Sequence, residues 1–323
     1  MGKLGFVQVE VSTKCQLNCP MCPRSCFKDE WISKDMDLNT FTLIPFKRFR
    51  YAHLQGWGEP LLNPNIDEMI EMARKHCKVG LTTNGLLIER YLGVVLKLDL
   101  LSVSVASANP LTHHAVRGFN LEKLKRNIKL VSESRKAKSK PKIVIATMML
   151  KNTIETLPRI VDFALECGAD EVIANNLDYI PSQSLIGQEV FGLQSNQQVE
   201  EILDQIKMKA KDAGIRFVAK QVVMDEALVC AENPVDNCLI TVDGKIAPCV
   251  YLHLPTRSDY IVRHFRGKRV EVPKVYFGSI TQWRKSDIRV TFEKRLQVLY
   301  QYLPLELPAL PDVCRSCYKA WSV

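Results

Sequence analysis

Residues 12–27 read STKCQLNCPMCPRSCF and place Cys15, Cys19 and Cys22 at a C-x3-C-x2-C spacing. A free cysteine usually lies singly in an apolar core, whereas these three stand among prolines and polar residues, in sequence that favours a loop. Three thiolates this close together indicate a shared metal centre.

The kind of metal depends on the number of ligands. A structural zinc site takes four ligands, usually from two separated pairs, while an iron–sulfur cluster can be held by thiolates of one loop. Cys26 is a possible fourth ligand, so zinc stays open as an alternative. Three thiolates would leave one iron of a 4Fe-4S cluster without a protein ligand, and that iron can bind a substrate or cofactor directly.

Composition sets the broad class of the protein. The 323 residues are compatible with one barrel-sized domain of about 200 to 250 residues and a smaller one. We find neither an apolar signal segment nor an apolar run of about 18 residues, so we expect a cytoplasmic protein without a membrane span. Most of the eleven cysteines form two groups near the ends, which in a reducing compartment indicates metal ligation. The chain has a net charge of +9, but its clusters of basic residues are not interleaved with aromatic residues. We therefore do not expect nucleic acid as a partner.

Strand and helix patterns alternate along the first two thirds of the chain. Strands are predicted over 5–11, 51–56, 78–83, 99–106, 142–150 and 171–175, and helices over 65–76, 89–97, 121–136, 154–167 and 197–213. Six such units predict an α/β fold, a partial (β/α)6 TIM-like barrel with parallel strands. The cysteine loop leaves the C-terminal end of the first strand, where active sites form in such barrels.

The C-x3-C-x2-C spacing just after a first strand resembles the signature of the radical S-adenosylmethionine enzymes. The resemblance implies that Cys15, Cys19 and Cys22 hold a 4Fe-4S cluster whose open iron chelates the amino and carboxylate groups of S-adenosylmethionine. It also implies reductive cleavage of this cofactor to methionine and a 5′-deoxyadenosyl radical, which abstracts hydrogen from a substrate.

Polar motifs at the next two strand ends extend the resemblance. The sequence QGWGEP ends the second strand and resembles the Gly-Glu-Pro motif of the family, which implies that Gly58, Glu59 and Pro60 bind the methionine amino group. Thr82 and Asn84 lie at the end of the third strand, near the cofactor by the same resemblance. Taken alone, both motifs are also common turn sequences.

Three further residues are assigned by resemblance. Ser104 is implied to bind the ribose, although Ala106 and Ser107 replace the acid and glycine that often follow it. Arg117 resembles the arginine that pairs with the cofactor carboxylate, and a surface salt bridge is its alternative role. Asn152 is implied near the adenine and is otherwise a helix cap.

The strand–helix alternation ends after Gly214. Residues 241–249 predict two short strands around an Asp-Gly turn, with a cysteine at the end of the hairpin. A helical linker is predicted over 279–302, and the sequence CRSC follows at 314–317.

This region resembles the SPASM/twitch extension, in which C-x(9–15)-G-x4-C is followed at a distance by C-x2-C. The resemblance implies a second, auxiliary 4Fe-4S cluster, with four ligands: Cys230, Cys249, Cys314 and Cys317. Cys238 is the second choice for the first of these positions, and a zinc knuckle of the same thiolates is the alternative. The chain is thus predicted to divide into a barrel over 1–215 and an auxiliary-cluster domain over 216–323.

Substrate and partners follow only from the resemblance. Members with this extension modify peptides or proteins, take part in the maturation of enzymes, or oxidise small molecules such as aminocyclitols. We expect modification of a peptide or protein, or enzyme maturation, with a small-molecule dehydrogenase or epimerase as the alternative. An electron donor such as flavodoxin or ferredoxin is expected. Because only 14 residues precede Cys15, leader recognition would need a separate protein. An electron carrier and a nucleic-acid-modifying enzyme are the remaining alternatives.

Overall fold

The computed structural model describes residues 3–135, 140–283, 287–300 and 307–323. Its strands are β1 Leu4–Val9, β2 Phe49–Leu54, β3 Lys78–Thr83, β4 Leu100–Ser104, β5 Lys142–Met149, β6 Glu171–Asn176, β7 Arg216–Ala219, β8 Cys238–Ile240, β9 Ile246–Ala247, β10 Tyr260–Phe265, β11 Lys268–Pro273, β12 Gly278–Ser279 and β13 Gln282–Trp283. Its α-helices are α1 Pro23–Cys26, α2 Leu38–Thr42, α3 Ile66–Arg74, α4 Leu92–Val95, α5 Pro110–Arg117, α6 Leu121–Ser134, α7 Arg159–Glu166, α8 Gln197–Asp212, α9 Asp287–Tyr300 and α10 Asp312–Arg315.

Nine strands form one sheet in the order β7-β6-β5-β4-β3-β2-β1-β8-β9. Every neighbouring pair from β7 to β8 is parallel, and β9 joins β8 antiparallel. The C-terminal ends of the parallel strands therefore meet at one edge, where the loops can build a site. The predicted parallel α/β architecture is confirmed.

The sheet is wider than the six predicted strands. β7 pairs with β6 beyond residue 215, and its four residues are too few and too exposed to give a clear periodic signal. At the other end, β8 pairs with β1 in a register that places Ile240 beside Val9. The sheet thus continues across the predicted domain boundary, which itself stays a prediction.

Alternation along β5 shows how the sheet divides the core from an open interior. Ile143, Ile145 and Met149 are buried in the main hydrophobic core, beneath the helices. Lys142, Val144, Ala146 and Met148 face the other way and line a cavity. Successive residues of a strand point to opposite faces, so one side of each strand is free to build a site.

The junction of α6 and β5 is held by a buried arginine. The side chain of Arg135 is 2% exposed and donates hydrogen bonds to the carbonyl oxygens of Pro141 and Gly168. It also pairs with both carboxylate oxygens of Asp170, at 2.5 and 3.0 Å. Asp170 in turn accepts the N–H of Ile143, so one cation fixes the entries to β5 and β6.

The C-terminal region contains smaller elements. β8 and β9 flank the predicted Asp-Gly turn, with Gly244 at φ +78°. β10 and β11 form a hairpin that the sequence did not predict, and β12 pairs with β13. The predicted helix over 279–302 was wrong over 279–283, where this second hairpin lies, and right over 287–300. Residues 284–286 and 301–302 lie outside the described residues.

Among the described residues, no helix has the length and the apolar character that crossing a membrane requires.

Candidate active site

The cysteine loop is anchored on both sides before it reaches its first thiol. Thr13 exchanges backbone and side-chain hydrogen bonds with Ile32 and Lys34, and its carbonyl accepts the indole N–H of Trp31 at 2.9 Å. The loop closes where the N–H of Cys22 donates to the carbonyl of Cys19 at 3.0 Å, one residue before α1 begins. The path from β1 to the thiols is therefore fixed.

Cys15, Cys19 and Cys22 line the same cavity. Burial and the neighbouring thiols of Cys19 and Cys15 raise the pKa of Cys22 to about 11. Asn84 Nδ2 lies 3.8 Å from the sulfur of Cys15, and Arg117 Nη1 lies 3.6 Å from that of Cys19. Hydrogen-bond donors therefore lie beside two of the three sulfurs.

This arrangement fits a cluster better than a single ion. Within the described ranges, no three His, Cys, Asp or Glu side chains come close enough to bind one metal ion in common. In a 4Fe-4S cluster each thiolate binds a different iron, so the ligands need only line one wall. Three thiols on one cavity wall meet that requirement.

The QGWGEP loop lies directly against the chain that enters the cysteine loop. The N–H of Glu59 donates to the carbonyl of Lys14 at 2.7 Å. A Cβ on Gly58 would lie 2.3 Å from the carbonyl oxygen of Ser12, and one on Gly56 would lie 2.3 Å from Cγ of Glu10. Only glycine allows this approach of the two segments.

Glu59 is buried and links two strand ends. Its carboxylate accepts the backbone N–H of Leu61 at 3.1 Å and of Asn84 at 2.7 Å, and the hydroxyl of Thr83 at 2.8 Å. Burial raises the pKa of Glu59 to about 7, against the lowering effect of these hydrogen bonds and of Arg117. Gly58 and Glu59 line the cavity, whereas the neighbouring Pro60 is buried at the start of a short 3-10 helix.

Of the remaining predicted cofactor residues, four line the cavity: Thr82, Asn84, Ser104 and Arg117. The Thr82 hydroxyl is already engaged with Gln55 and with His53, at 3.0 and 2.8 Å. The Nε atom of Arg117 has no hydrogen-bond partner among the described residues.

Asn152 is the exception among these predictions. It is exposed and lies outside the cavity, while the next residue, Thr153, lines it. The turn after β5, closed by the Thr153 N–H on the carbonyl of Leu150 at 2.9 Å, leaves Asn152 in solvent. Asn152 also caps no helix, because Thr153 holds the cap position of the short 3-10 helix Ile154–Thr156 and α7 begins only at Arg159.

The second cysteine set comes together from three distant segments. Burial raises the pKa of Cys249 well above its usual range, and the charges of Cys230, Cys317 and Cys314 add to the effect. After burial, Cys317 and Cys230 raise the pKa of Cys314, and Cys317 raises that of Cys230. Cys230 and Cys314 are buried in one apolar cluster, with Cys249 packed against it.

The two other candidate ligands lie elsewhere. Cys238 is part of β8 and belongs to the main core. Burial raises the pKa of Cys238 to about 12, and the charges that act on it are those of Arg289 and Arg48 rather than other thiols. Cys26 is half-buried at the end of α1, and its sulfur donates to the carbonyl of Pro20 at 3.6 Å.

A cavity of about 850 Å³ lies between the two cysteine sets. The triplet occupies one part of its wall. Residues one or two positions from the second set occupy another part: Ala231, Glu232, Val250, Tyr251 and Lys319. A molecule in this cavity would contact both regions.

The sequence did not reveal a buried network that ties the cofactor loop to the C-terminal region. The carboxylate of Glu10, 0% exposed, lies 2.9 Å from Nε2 of His253 and accepts the N–H of Trp57 at 3.1 Å. The Trp57 indole N–H donates to the His253 carbonyl at 2.8 Å, and Tyr276 OH lies 2.7 Å from the second ring nitrogen of His253. An acid at the end of a buried strand was the available signal for Glu10.

Comparison with known proteins gives the family. A model of the Radical SAM superfamily matches residues 9–164. The tungsten-containing aldehyde ferredoxin oxidoreductase cofactor-modifying protein of Pyrococcus furiosus is 25% identical over 96% of this chain and 88% of its own length. The probable GTP 3′,8-cyclase of Methanococcus aeolicus is 26% identical over 76% of this chain and 84% of its own.

Solved structures share the fold. Streptococcus suis SuiB bound to precursor peptide SuiA aligns with a TM-score of 0.63 over 99% of this chain and 71% of its own, at 15% identity. In a second SuiB structure the chain spans 61% of that protein's length, with a TM-score of 0.60. Native anSMEcpe with bound AdoMet and Cp18Cys peptide aligns with a TM-score of 0.61 over 99% of this chain and 88% of its own, at 16% identity.

The family match spans the cysteine triplet and the strand ends that line the cavity. Proteins of this family bind S-adenosylmethionine and a 4Fe-4S cluster, and the fit of the three thiols to one cavity wall agrees with this. Residues 9–164 thus match the Radical SAM superfamily, and the similarity to cofactor-modifying and GTP 3′,8-cyclase proteins supports the conclusion that the chain is an enzyme.

Proposed function

We propose that the chain cleaves S-adenosylmethionine at the Cys15, Cys19 and Cys22 site and uses the resulting radical to modify a peptide or protein, or to mature an enzyme. When bound, the 4Fe-4S cluster supplies the electron that breaks the sulfonium to methionine and a 5′-deoxyadenosyl radical. The residues of the chain bind and orient the reactants and exclude water from the cavity.

The cofactor residues have separate tasks in this proposal. Gly58 and Glu59 offer backbone and carboxylate acceptors to the methionine ammonium. Arg117 reaches the wall of the triplet and offers its guanidinium to the methionine carboxylate. Ser104, Thr82 and Asn84 line the space next to them, where the nucleoside part would lie. The exposed Asn152 has no place in this set.

One observation carries the second half of the proposal. The thiols of Cys230, Cys249, Cys314 and Cys317 come together although as many as 87 residues separate the first from the last, and the segments that hold them also wall the cavity. We assign these four thiols to an auxiliary 4Fe-4S cluster in the region 216–323. Its position beside the cavity suits it to accept the electron that a substrate radical loses when it is oxidised to product.

The substrate assignment is supported by the relative from Pyrococcus furiosus, which is similar along nearly all of this chain and is named for modifying the cofactor of another enzyme. The similarity in fold to SuiB, which was solved with its precursor peptide, supports a peptide as the substrate. A second candidate, a small molecule, is favoured by the similarity to a probable GTP 3′,8-cyclase and by the many polar residues that line the cavity. An electron donor such as flavodoxin or ferredoxin, and a separate recognition protein for a peptide, complete the proposal.

The cleavage reaction is tested with anaerobically reconstituted, dithionite-reduced protein and S-adenosylmethionine, with 5′-deoxyadenosine measured by mass spectrometry. The wild-type protein should form 5′-deoxyadenosine and bind about eight irons, the content of two clusters. Cys19→Ala should form none, and the matched control Cys26→Ala should behave as wild type. Absence of 5′-deoxyadenosine from iron-loaded wild type would contradict the proposed function.

The substrate class needs a separate measurement. A cell extract is divided by ultrafiltration into a protein and peptide fraction and a small-molecule fraction, and each is added to the reduced enzyme. We expect the larger fraction to raise 5′-deoxyadenosine formation above the rate without substrate. Stimulation by the small-molecule fraction alone would favour the second candidate.

A further inference from the structure

One part of the cavity wall is built from three aromatic rings contributed by distant segments. Trp57, Tyr179 and Tyr251 all line the cavity. The ring centroid of Trp57 lies 5.4 Å from that of Tyr179 and 6.4 Å from that of Tyr251, and those of the two tyrosines are 6.5 Å apart. We call these three residues the aromatic wall.

The polar atom of each ring is already engaged by the protein. Trp57 Nε1 donates to the carbonyl of His253 at 2.8 Å, and Tyr179 OH donates to that of Val262 at 2.8 Å. Tyr251 OH donates to the Asp178 carboxylate at 3.0 Å. These bonds fix the rings, so what the wall offers to a ligand is aromatic surface.

Charged groups stand beside the aromatic wall. Asp178 is paired with Lys319, whose ammonium also lies 5.8 Å from the ring centroid of Tyr251. Lys220, just past β7, lines the same cavity. Among the described residues, no carboxylate lies within ion-pairing distance of the Lys220 ammonium. The nearby Asp178 carboxylate is already paired with Lys319. Glu232 shares the cavity wall but does not pair with Lys220.

A lysine in this setting favours an anionic partner. Burial lowers the pKa of Lys220, and the positive charge of Lys319 lowers it further, against the opposing effects of Glu232 and Asp178. Glu232 and Asp178 thus offset only part of the desolvation cost of this half-buried ammonium, which has no contacting counter-ion among the described residues. A ligand anion at this position would supply the missing partner through a charge-assisted hydrogen bond.

We propose that Lys220 and the aromatic wall form a substrate subsite that binds a planar ring bearing an anionic group, a carboxylate or a phosphate. The ring would pack on Trp57, Tyr179 and Tyr251, with its anion on Lys220. This inference rests on the proposed function, since it places the substrate between the two cysteine sets. It goes further by specifying what the substrate must carry.

The test uses four simple probes on the reconstituted holoenzyme, with affinities measured by ligand-detected NMR titration. Phenyl phosphate and 3-phenylpropanoate carry both a ring and an anion, benzyl alcohol carries a ring without charge, and inorganic phosphate carries charge without a ring. We expect the two ring anions to bind more tightly than either single-feature probe.

Variants assign the binding to the proposed residues. Lys220→Gln should weaken both ring anions by about tenfold or more, because a hydrogen bond to a charged group contributes about 1.5–3 kcal/mol, and should leave benzyl alcohol unaffected. Lys220→Arg should restore most of the lost affinity. Lys211→Gln, which removes an exposed lysine of α8, is the matched control and should match the wild type. Melting curves exclude unfolding of the variants.

The outcomes separate this inference from the proposed function. Equal binding of the ring anions to wild type and Lys220→Gln, or no binding of any probe to the wild type, would overturn the subsite. If wild type also formed no 5′-deoxyadenosine, the proposed function would fail independently. With Lys220-dependent binding established, a preference for phenyl phosphate indicates a phosphorylated ring compound, and a preference for 3-phenylpropanoate indicates a carboxylate-bearing one.

Discussion

Replacing Gly58 with alanine tests whether the QGWGEP loop must lie directly against the chain that enters the cysteine loop. The new Cβ would lie 2.3 Å from the carbonyl oxygen of Ser12 and 2.7 Å from that of Lys14. Non-bonded heavy atoms prefer a separation of about 3.5–4.0 Å, so the two segments would have to separate by about 1 Å. Because both obstructing atoms belong to the backbone, no side-chain rotation can relieve the clash.

The expected effects concern stability and cofactor cleavage separately. Overpacking of this kind costs about 1–3 kcal/mol, which urea denaturation measures as a fall in the free energy of unfolding. The same shift moves Glu59 away from Lys14, whose carbonyl accepts its N–H at 2.7 Å. A displacement of about 1 Å at a site that positions reactants can lower the rate about 100-fold. We therefore expect a loss of that order in 5′-deoxyadenosine formation.

Gly93→Ala is the matched control. Gly93 lies in α4, and a Cβ there meets no atom within 4 Å. Since alanine is favoured over glycine in a helix by about 0.5–1 kcal/mol, this variant should be as stable as wild type or more so, with unchanged 5′-deoxyadenosine formation. If Gly58→Ala matched Gly93→Ala in both measurements, the close approach of the two segments would be unnecessary and the reasoning refuted.

Three further predictions follow from the structure. Cys249→Ala should lower the iron content by about four per chain, the content of one cluster, while Cys238→Ala should leave it unchanged; equal iron contents would contradict the assignment of the second set. Arg135→Ala should cost about 1–3 kcal/mol in the free energy of unfolding, because the carbonyls of Pro141 and Gly168 lose the hydrogen bonds of a buried guanidinium. Arg216→Ala, whose side chain is 68% exposed, should cost less than about 1 kcal/mol, and similar losses would argue against the role of Arg135. Burial lowers the pKa of His53 to about 4, below its unfolded value of about 6.5, so the unfolded chain binds more protons between these values and stability falls as the pH drops through this window. His53→Gln should therefore lose about 2 kcal/mol less than wild type between pH 8 and pH 5, and identical acid-induced losses in urea denaturation would exclude this contribution.

The parallel sheet could be predicted because its signals are local. β3 runs over the predicted residues 78–83, and β1, β2, β4, β5 and β6 lie within two residues of their predicted bounds. Alternating apolar residues report one buried face of a strand, whatever lies elsewhere in the chain. The cysteine spacing is equally local, and its three thiols do line one cavity.

Features that depend on distant partners could not be predicted in this way. β7 is short and exposed, and β8 joins the sheet only by pairing with β1, more than 200 residues before it. The contact of Lys319 with Asp178 carries no sequence signal, because each residue taken alone fits a surface position. For Glu10 the acid at a strand end was a signal, but nothing in the sequence pointed to its distant partner His253. Asn152 was a reasonable candidate for the cofactor site, because it is a polar residue that follows a strand. The turn closed by Thr153 and Leu150 leaves it exposed instead.

The contacts across the predicted boundary at residue 215 indicate that the two regions depend on each other. The N–H groups of Gly5, in β1, and of Glu10, just after it, donate to the carbonyls of Asp236 and Ile240 in the C-terminal region, at 3.2 and 2.9 Å. Glu10 is fully buried, and its partner His253 belongs to the C-terminal region. Without that region, the Glu10 carboxylate would lose its contact with the His253 ring. The Trp57 indole would lose the carbonyl that accepts its N–H, and Trp57 belongs to the segment that carries Gly58 and Glu59. An unpaired buried carboxylate is costly, so the C-terminal region stabilises the proposed cofactor site as well as carrying the second cysteine set.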